Sequence, residues 1–167
     1  MQCHIARATS RLATRSQHTP TVTTRAFRAV MAHAGGLHML ANMQDYQEKR
    51  TALLAQPGQH YILFTADPDP TTGLAWCPDC VRSEPSVRAV TTRAGSLLEC
   101  RVGPRTLWKS PDHPFRTDPS LHLTGIPTVL LVGSEGQELA RLGPELEACK
   151  TPVEAEAVMV QFVLASQ

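Results

Sequence analysis

No Asp or Glu occurs before Asp45, and no apolar run approaches the roughly 18 residues expected of a membrane-crossing helix. The second absence predicts a soluble chain. The start of the chain has no apolar core of the kind a secretory signal carries, and the five cysteines are odd in number. Both features argue against a secreted disulfide framework and for a reducing compartment. There is no second Cys pair, the seven histidines are scattered without ligand spacing, and no internal repeat recurs. A zinc ribbon and a repeat array are therefore both disfavoured.

What is present is 167 residues with 42% hydrophobic content, enough for one domain with a core plus a tail. The net charge of +1 conceals an asymmetry: five arginines precede Asp45, leaving 11 basic and 15 acidic side chains from there on, a balance of −4. A body of that sign, without a local basic cluster, is a poor partner for nucleic acid. Residues 1–36 read as an N-terminal extension rich in Arg, Ser and Thr, and residues 37–167 as the folded domain. If residues 1–30 were helical, Arg7, Arg11 and Arg15 would line one face and Ile5, Ala8 and Leu12 another, the layout of a mitochondrial or plastid transit peptide. The same stretch also reads as an unstructured extension, or as sequence upstream of a start at Met31.

Within the domain, Leu37, Leu40, Met43, Tyr46, Leu53 and Leu54 have helical spacing that stops at Pro57 and Gly58. Tyr61 to Ala66 is a buried-strand run, followed by a proline-containing loop over 67–73. Val81, Val87 and Val90 predict a helix over 80–94, kinked at Pro85 because proline lacks an N–H. Strands are predicted over 97–102, 127–132 and 137–142, the last two joined as a hairpin by a turn over 133–136. A long polar connection over 103–124 has room for short helices. Val153, Ala157, Val160, Val163 and Leu164 predict a closing helix. This order gives an α/β domain: a small mixed sheet flanked by helices on both faces.

The sharp signal is Trp76-Cys77-Pro78-Asp79-Cys80, placed after a strand and opening a helix. Free N–H groups and the positive dipole end at a helix start stabilise a thiolate, so Cys77 is the expected nucleophile. Cys80, one turn on, is placed to attack a mixed disulfide on Cys77. Pro78 suits an early helical position, where its missing N–H has no intrahelical partner to lose. Asp79 adds negative charge beside the thiols, raising the pKa of the thiolate or selecting substrates by charge. Two rival readings of the pair are half of a zinc site and two incidental buried cysteines. Ile126-Pro127-Thr128 opens a strand, where an X-Pro bond tolerates cis geometry, although a trans proline at a strand edge is commoner.

Trp76 to Arg88, the preceding strand and loop FTADPDPTTG, Cys100 to Gly103 and Trp108 to Arg116 together resemble the Clot-type thioredoxins, the thioredoxin domain-containing protein 17 group. The resemblance spans roughly Leu37 to Gln167, and WCPDC is its specific marker, since ordinary thioredoxins carry Gly-Pro between the cysteines. It implies a monomeric, cytosolic thioredoxin fold that acts as a protein-disulfide reductase with no cofactor and no metal. Electrons would come from NADPH through thioredoxin reductase or a glutathione system, and substrates would be selected protein disulfides or small ones such as cystine. By the same resemblance Cys77 attacks, Cys80 resolves, and cis-Pro127 beside Ile126 holds substrate backbone. Trp76, Pro78 and Asp79 line the site, and the 108–116 loop restricts access. A redox-sensing binding module is the alternative function, and a zinc-binding structural domain the third. The buried Asp that classical thioredoxins place in the strand before the motif is missing from Tyr61 to Ala66, which leaves the proton acceptor for Cys80 open, with Asp79 one option.

Cys100 and Cys149 read as small buried hydrophobes. His113 and His122, in the polar connection, read as solvated, and Trp108 as a packing residue or a substrate platform.

Overall fold

The computed structural model describes residues 43–166. The expected extension over 1–36, Cys3 within it, and the apolar positions Leu37 and Leu40 lie outside the described residues. The elements follow in the order α1 (Met43–Leu54), β1 (Gln59–Thr65), α2 (Pro78–Ala94), β2 (Gly95–Arg101), α3 (Arg105–Trp108), α4 (Pro114–Thr117), β3 (Thr128–Val132), β4 (Glu138–Leu142), α5 (Pro144–Ala148) and α6 (Pro152–Leu164). The strands form one mixed sheet in the order β2-β1-β3-β4. β1 runs parallel to β2 and antiparallel to β3, which pairs antiparallel with β4.

Alternation along the central strands divides the core in two. Ile62 and Phe64 point with Leu130 and Val132 toward Tyr46 and Leu53 of α1 and toward Trp108 and Phe115 of the connection. Tyr61 and Leu63 point with Val129 and Leu131 toward Val87 and Val90 of α2 and Ala155, Met159 and Val163 of α6. Because β1 is covered on both sides, its sequence is a continuous apolar run. The β3–β4 hairpin closes through Gly136, whose φ of +82° needs a residue without a Cβ.

Three sequence expectations change. The face of α6 is one: Ala155, Met159 and Val163 are buried, whereas Val153 is 75% exposed and Leu164 is also in solvent. The helix is apolar on several sides, so periodicity alone leaves its inward face undetermined. α5, five residues with Leu146 as its buried anchor, was not anticipated. α2, by contrast, reaches Ala94 as expected, with Pro85 in its interior.

The third correction concerns His113, expected in solvent and only 1% exposed. Its Nε2–H donates to the Val102 carbonyl at 2.9 Å, and its Nδ1 accepts from the Phe115 N–H at 3.2 Å, capping α4. A ring that donates from one nitrogen and accepts at the other is neutral. Burial holds its pKa below the usual 6.5, with Arg116 adding to the same direction and the Val102 bond opposing it. The unfolded chain therefore binds this proton more readily than the folded one. The stability His113 contributes is complete above about pH 6.5 and is lost as pH falls through its lower folded value. His113→Gln should flatten the part of the urea-unfolding midpoint that declines between about pH 7 and pH 5. An unchanged slope in the variant would contradict this assignment. His122 is exposed, as expected.

Candidate active site

The loop after β1 is pinned before it reaches the thiols. The Trp76 N–H donates to the Asp67 carbonyl at 3.1 Å, the Asp69 N–H to the Leu74 carbonyl at 2.7 Å, and Pro68 bridges to Ala75. Gly103, at φ +82°, joins the loop to the connection after β2. Its N–H donates to Asp67 Oδ1 at 2.9 Å, and its carbonyl accepts from Trp76 Nε1 at 2.9 Å. Asp67, placed by sequence in a loop, is buried there, and burial raises its pKa against the opposing Gly103 bond and Arg101.

Cys77 is the N-cap of α2, in extended backbone geometry, with Pro78 at the first turn. It keeps 8% of its surface exposed, whereas Cys80 is fully buried. Both are free thiols. The Cys77 thiol also lies 3.6 Å from the Ile126 carbonyl, to which it donates, and the Ile126–Pro127 peptide bond is cis. The two segments named from sequence, 76–80 and 126–127, thus meet at one sulfur. Trp76 and Asp79 are half-buried, Pro78 is exposed, and Ile126 and Pro127 are buried.

The two thiols are driven apart electrostatically. The hydrogen bond from Cys80 lowers the Cys77 pKa most, burial opposes, and the backbone N–H groups of Cys80 and Asp79 lower it further, bringing it from 9.0 to about 7. The Asp79 charge opposes as a smaller effect, and Asp79 is paired with Arg82. Cys80 is pushed well above the ordinary thiol range, first by its bond to Cys77 and then by burial. This arrangement yields one ready nucleophile and one protonated reserve. Alkylation of Cys77 by iodoacetamide should rise with pH to a plateau with its midpoint at about 7, and Cys80→Ala should move that midpoint up toward 9.0. An unmoved midpoint in the variant would assign the effect to the helix amides instead.

Among the described residues, no three His, Cys, Asp or Glu side chains gather to hold a metal ion, and no helix is long and apolar enough to cross a membrane. Trp108 is a packing residue: it is buried, with the Arg116 guanidinium 4.0 Å above its ring and Arg116 Nε donating to its carbonyl at 3.0 Å. Cys100 and Cys149 are buried, and burial raises the Cys100 pKa. Sequence reasoning missed Thr65, whose hydroxyl acts to lower the Cys80 pKa, and Glu84, which accepts from Thr65. The spacing of Cys80 and Glu84, four apart on one helix face, was the available signal.

A family model for the thioredoxin domain of thioredoxin domain-containing protein 17-like proteins matches residues 39–161. The chain belongs to this family. Its fold is the thioredoxin fold. The thioredoxin-like protein Clot of Arabidopsis thaliana is 40% identical over 87 residues, covering 50% of this chain and 65% of Clot. The Clot protein of Oryza sativa subsp. japonica is matched over the same 65%, so the chain spans somewhat under two thirds of these relatives. Thioredoxin domain-containing protein 17 of Mus musculus is 31% identical over 109 residues, covering 64% of this chain and 83% of the mouse protein. Among solved structures, a disulphide isomerase from Xylella fastidiosa Temecula1 superposes with a TM-score of 0.47 at 19% identity, over 77% of this chain and 95% of that one.

Proposed function

We propose that this family member is a disulfide reductase that cycles Cys77 and Cys80 between dithiol and disulfide. The observation that carries the reading is a single exposed edge of sulfur at the start of α2, lowered to about pKa 7, backed by a fully buried second thiol. The Cys77 thiolate attacks one sulfur of the client disulfide, forming a mixed disulfide and expelling the first client thiolate. Cys80, deprotonated, attacks the Cys77 sulfur, forming the Cys77–Cys80 disulfide and expelling the second. Two electrons pass to the client, and its two thiolates take up the protons.

The small exposed edge of Cys77, beside the Ile126 carbonyl, favours clients that present a protruding disulfide, either small molecules such as cystine or selected protein disulfides. Electrons to restore the dithiol would come from NADPH through thioredoxin reductase or through glutathione. NADPH oxidation with cystine and either donor system should depend on added protein. A rate no greater than that of each donor system alone would end this reading.

A further inference from the structure

Cys80 is sealed from solvent and holds its proton tightly, yet the resolving step needs its thiolate. The strand residue that serves as a buried proton acceptor in ordinary thioredoxins has no counterpart in β1, and Asp79, the acceptor suggested by sequence, is engaged by Arg82. The groups in contact with Cys80 lead elsewhere. Thr65, the last residue of β1 and fully buried, lies beside Cys80, where its hydroxyl acts to lower the pKa of that thiol. The Thr65 hydroxyl donates to Glu84 Oε1, one helical turn beyond Cys80. Glu84 is itself only 7% exposed and lines a surface cleft with Gly73, Leu74, Val81 and Pro85.

We propose that Glu84, acting through the Thr65 hydroxyl, takes up the proton that Cys80 must release to resolve the mixed disulfide. This rests on the reductase reading. The Cys80 proton moves to Thr65 Oγ1 as the Thr65 proton moves to Glu84 Oε1, so the hydroxyl is regenerated and negative charge passes from carboxylate to sulfur. The Cys80 thiolate then forms its bond to the Cys77 sulfur as the bond from Cys77 to the client breaks. Protonated Glu84 gives its proton up to the cleft, and the departing client thiolate is protonated from solvent.

The charges around Glu84 allow it this role. Arg88 Nη2 lies 2.8 Å and Arg101 Nη1 3.0 Å from its oxygens. Both are shared with Glu99, which lies 2.6 Å from Arg88 and 3.6 Å from Arg101, and Arg101 also acts on Asp67. Two cations are thus divided among three carboxylates. Because the Thr65 hydrogen is committed to Glu84, a lone pair of its oxygen is left to accept from the Cys80 thiol.

Single-turnover reaction with 5,5′-dithiobis(2-nitrobenzoate) separates the two steps. The first thionitrobenzoate released reports attack by Cys77, the second resolution by Cys80. Glu84→Gln, which keeps the shape and loses the charge, should leave the rate and pH midpoint of the first release unchanged. It should slow the second roughly a hundredfold at pH 7 and move its midpoint upward. Thr65→Val should show the same split, and Thr65→Ser should restore the wild-type second phase. These hydroxyl variants decide the matter if Glu84→Gln fails to fold. A second release with wild-type rate and pH profile in Glu84→Gln and Thr65→Val, or an equal slowing of both releases, would overturn the relay. Absence of a second release from the wild-type protein would instead end the reductase reading on which the relay stands.

Discussion

Replacing Cys77 with Ser should reduce client-disulfide turnover to the uncatalysed rate, a loss of roughly three orders of magnitude or more. Serine keeps the N-cap position and the contact with Ile126, so the fold should be unaffected; what disappears is a group ionising at about 7. Cys80→Ser should behave differently. Cys77 still attacks, but nothing displaces the client from it, so a covalent complex accumulates that is visible on a non-reducing gel and released by dithiothreitol. The Cys77→Ser/Cys80→Ser double variant should form none. A binding module that only docks clients would be captured equally by all three proteins, and that result would replace the enzyme reading. Because Cys80 supplies the largest contribution to the Cys77 acidity, trapping by Cys80→Ser should also be slower below about pH 8 than the first attack in the wild type.

What could be read in advance follows a physical divide. β1, β3 and the Cys77-to-Cys80 motif are local patterns: a covered strand carries an unbroken apolar run, Tyr61 to Phe64 in β1 and Val129 to Val132 in β3, and a helix-start dithiol lies within five consecutive residues. The meeting of Cys77 with Ile126–Pro127 was legible only through the family resemblance, since 49 positions separate the partners of that contact. His113 was misjudged because a lone histidine among polar residues carries no mark of burial. Its place is made by a carbonyl from Val102 and by the rings of Trp108 and Phe115, at 5.0 and 5.5 Å. Thr65 and Glu84 were missed for a related reason. Each is ordinary in its own element, and only the packing of α2 on β1 brings hydroxyl, carboxylate and thiol into line. Periodicity erred on α6 because nearly every side of that helix is apolar, so several faces fit the pattern equally well.

Phe115→Ala should be strongly destabilising, costing about 3–5 kcal/mol of stability. The ring is fully buried at the point where the connection after β2 settles on the sheet. It lies 5.6 Å from Tyr46 of α1 and 5.3 Å from Phe64 of β1, both in edge-on geometry, while Tyr46 and Phe64 are themselves 5.7 Å apart. Truncation would open a void on one face of the sheet and remove the contacts with Tyr46 and Phe64 together, along with that to His113. Phe115→Leu retains most of the apolar volume and loses mainly those contacts, worth about 0.5–1.5 kcal/mol each. Urea titration should therefore rank wild type, Phe115→Leu and Phe115→Ala in that order, with a fall in melting temperature on the order of 10 °C for the alanine variant. A loss below about 1 kcal/mol would mean the site collapses to fill the void. The effect should also reach the thiols. Phe115 anchors the connection that begins at Gly103, whose N–H and carbonyl hold Asp67 and Trp76. Loosening it should raise the alkylation rate of the Cys77 thiolate at its pH plateau even where the protein remains folded, because Trp76, the neighbour of Cys77 in the chain, is held by the Gly103 carbonyl.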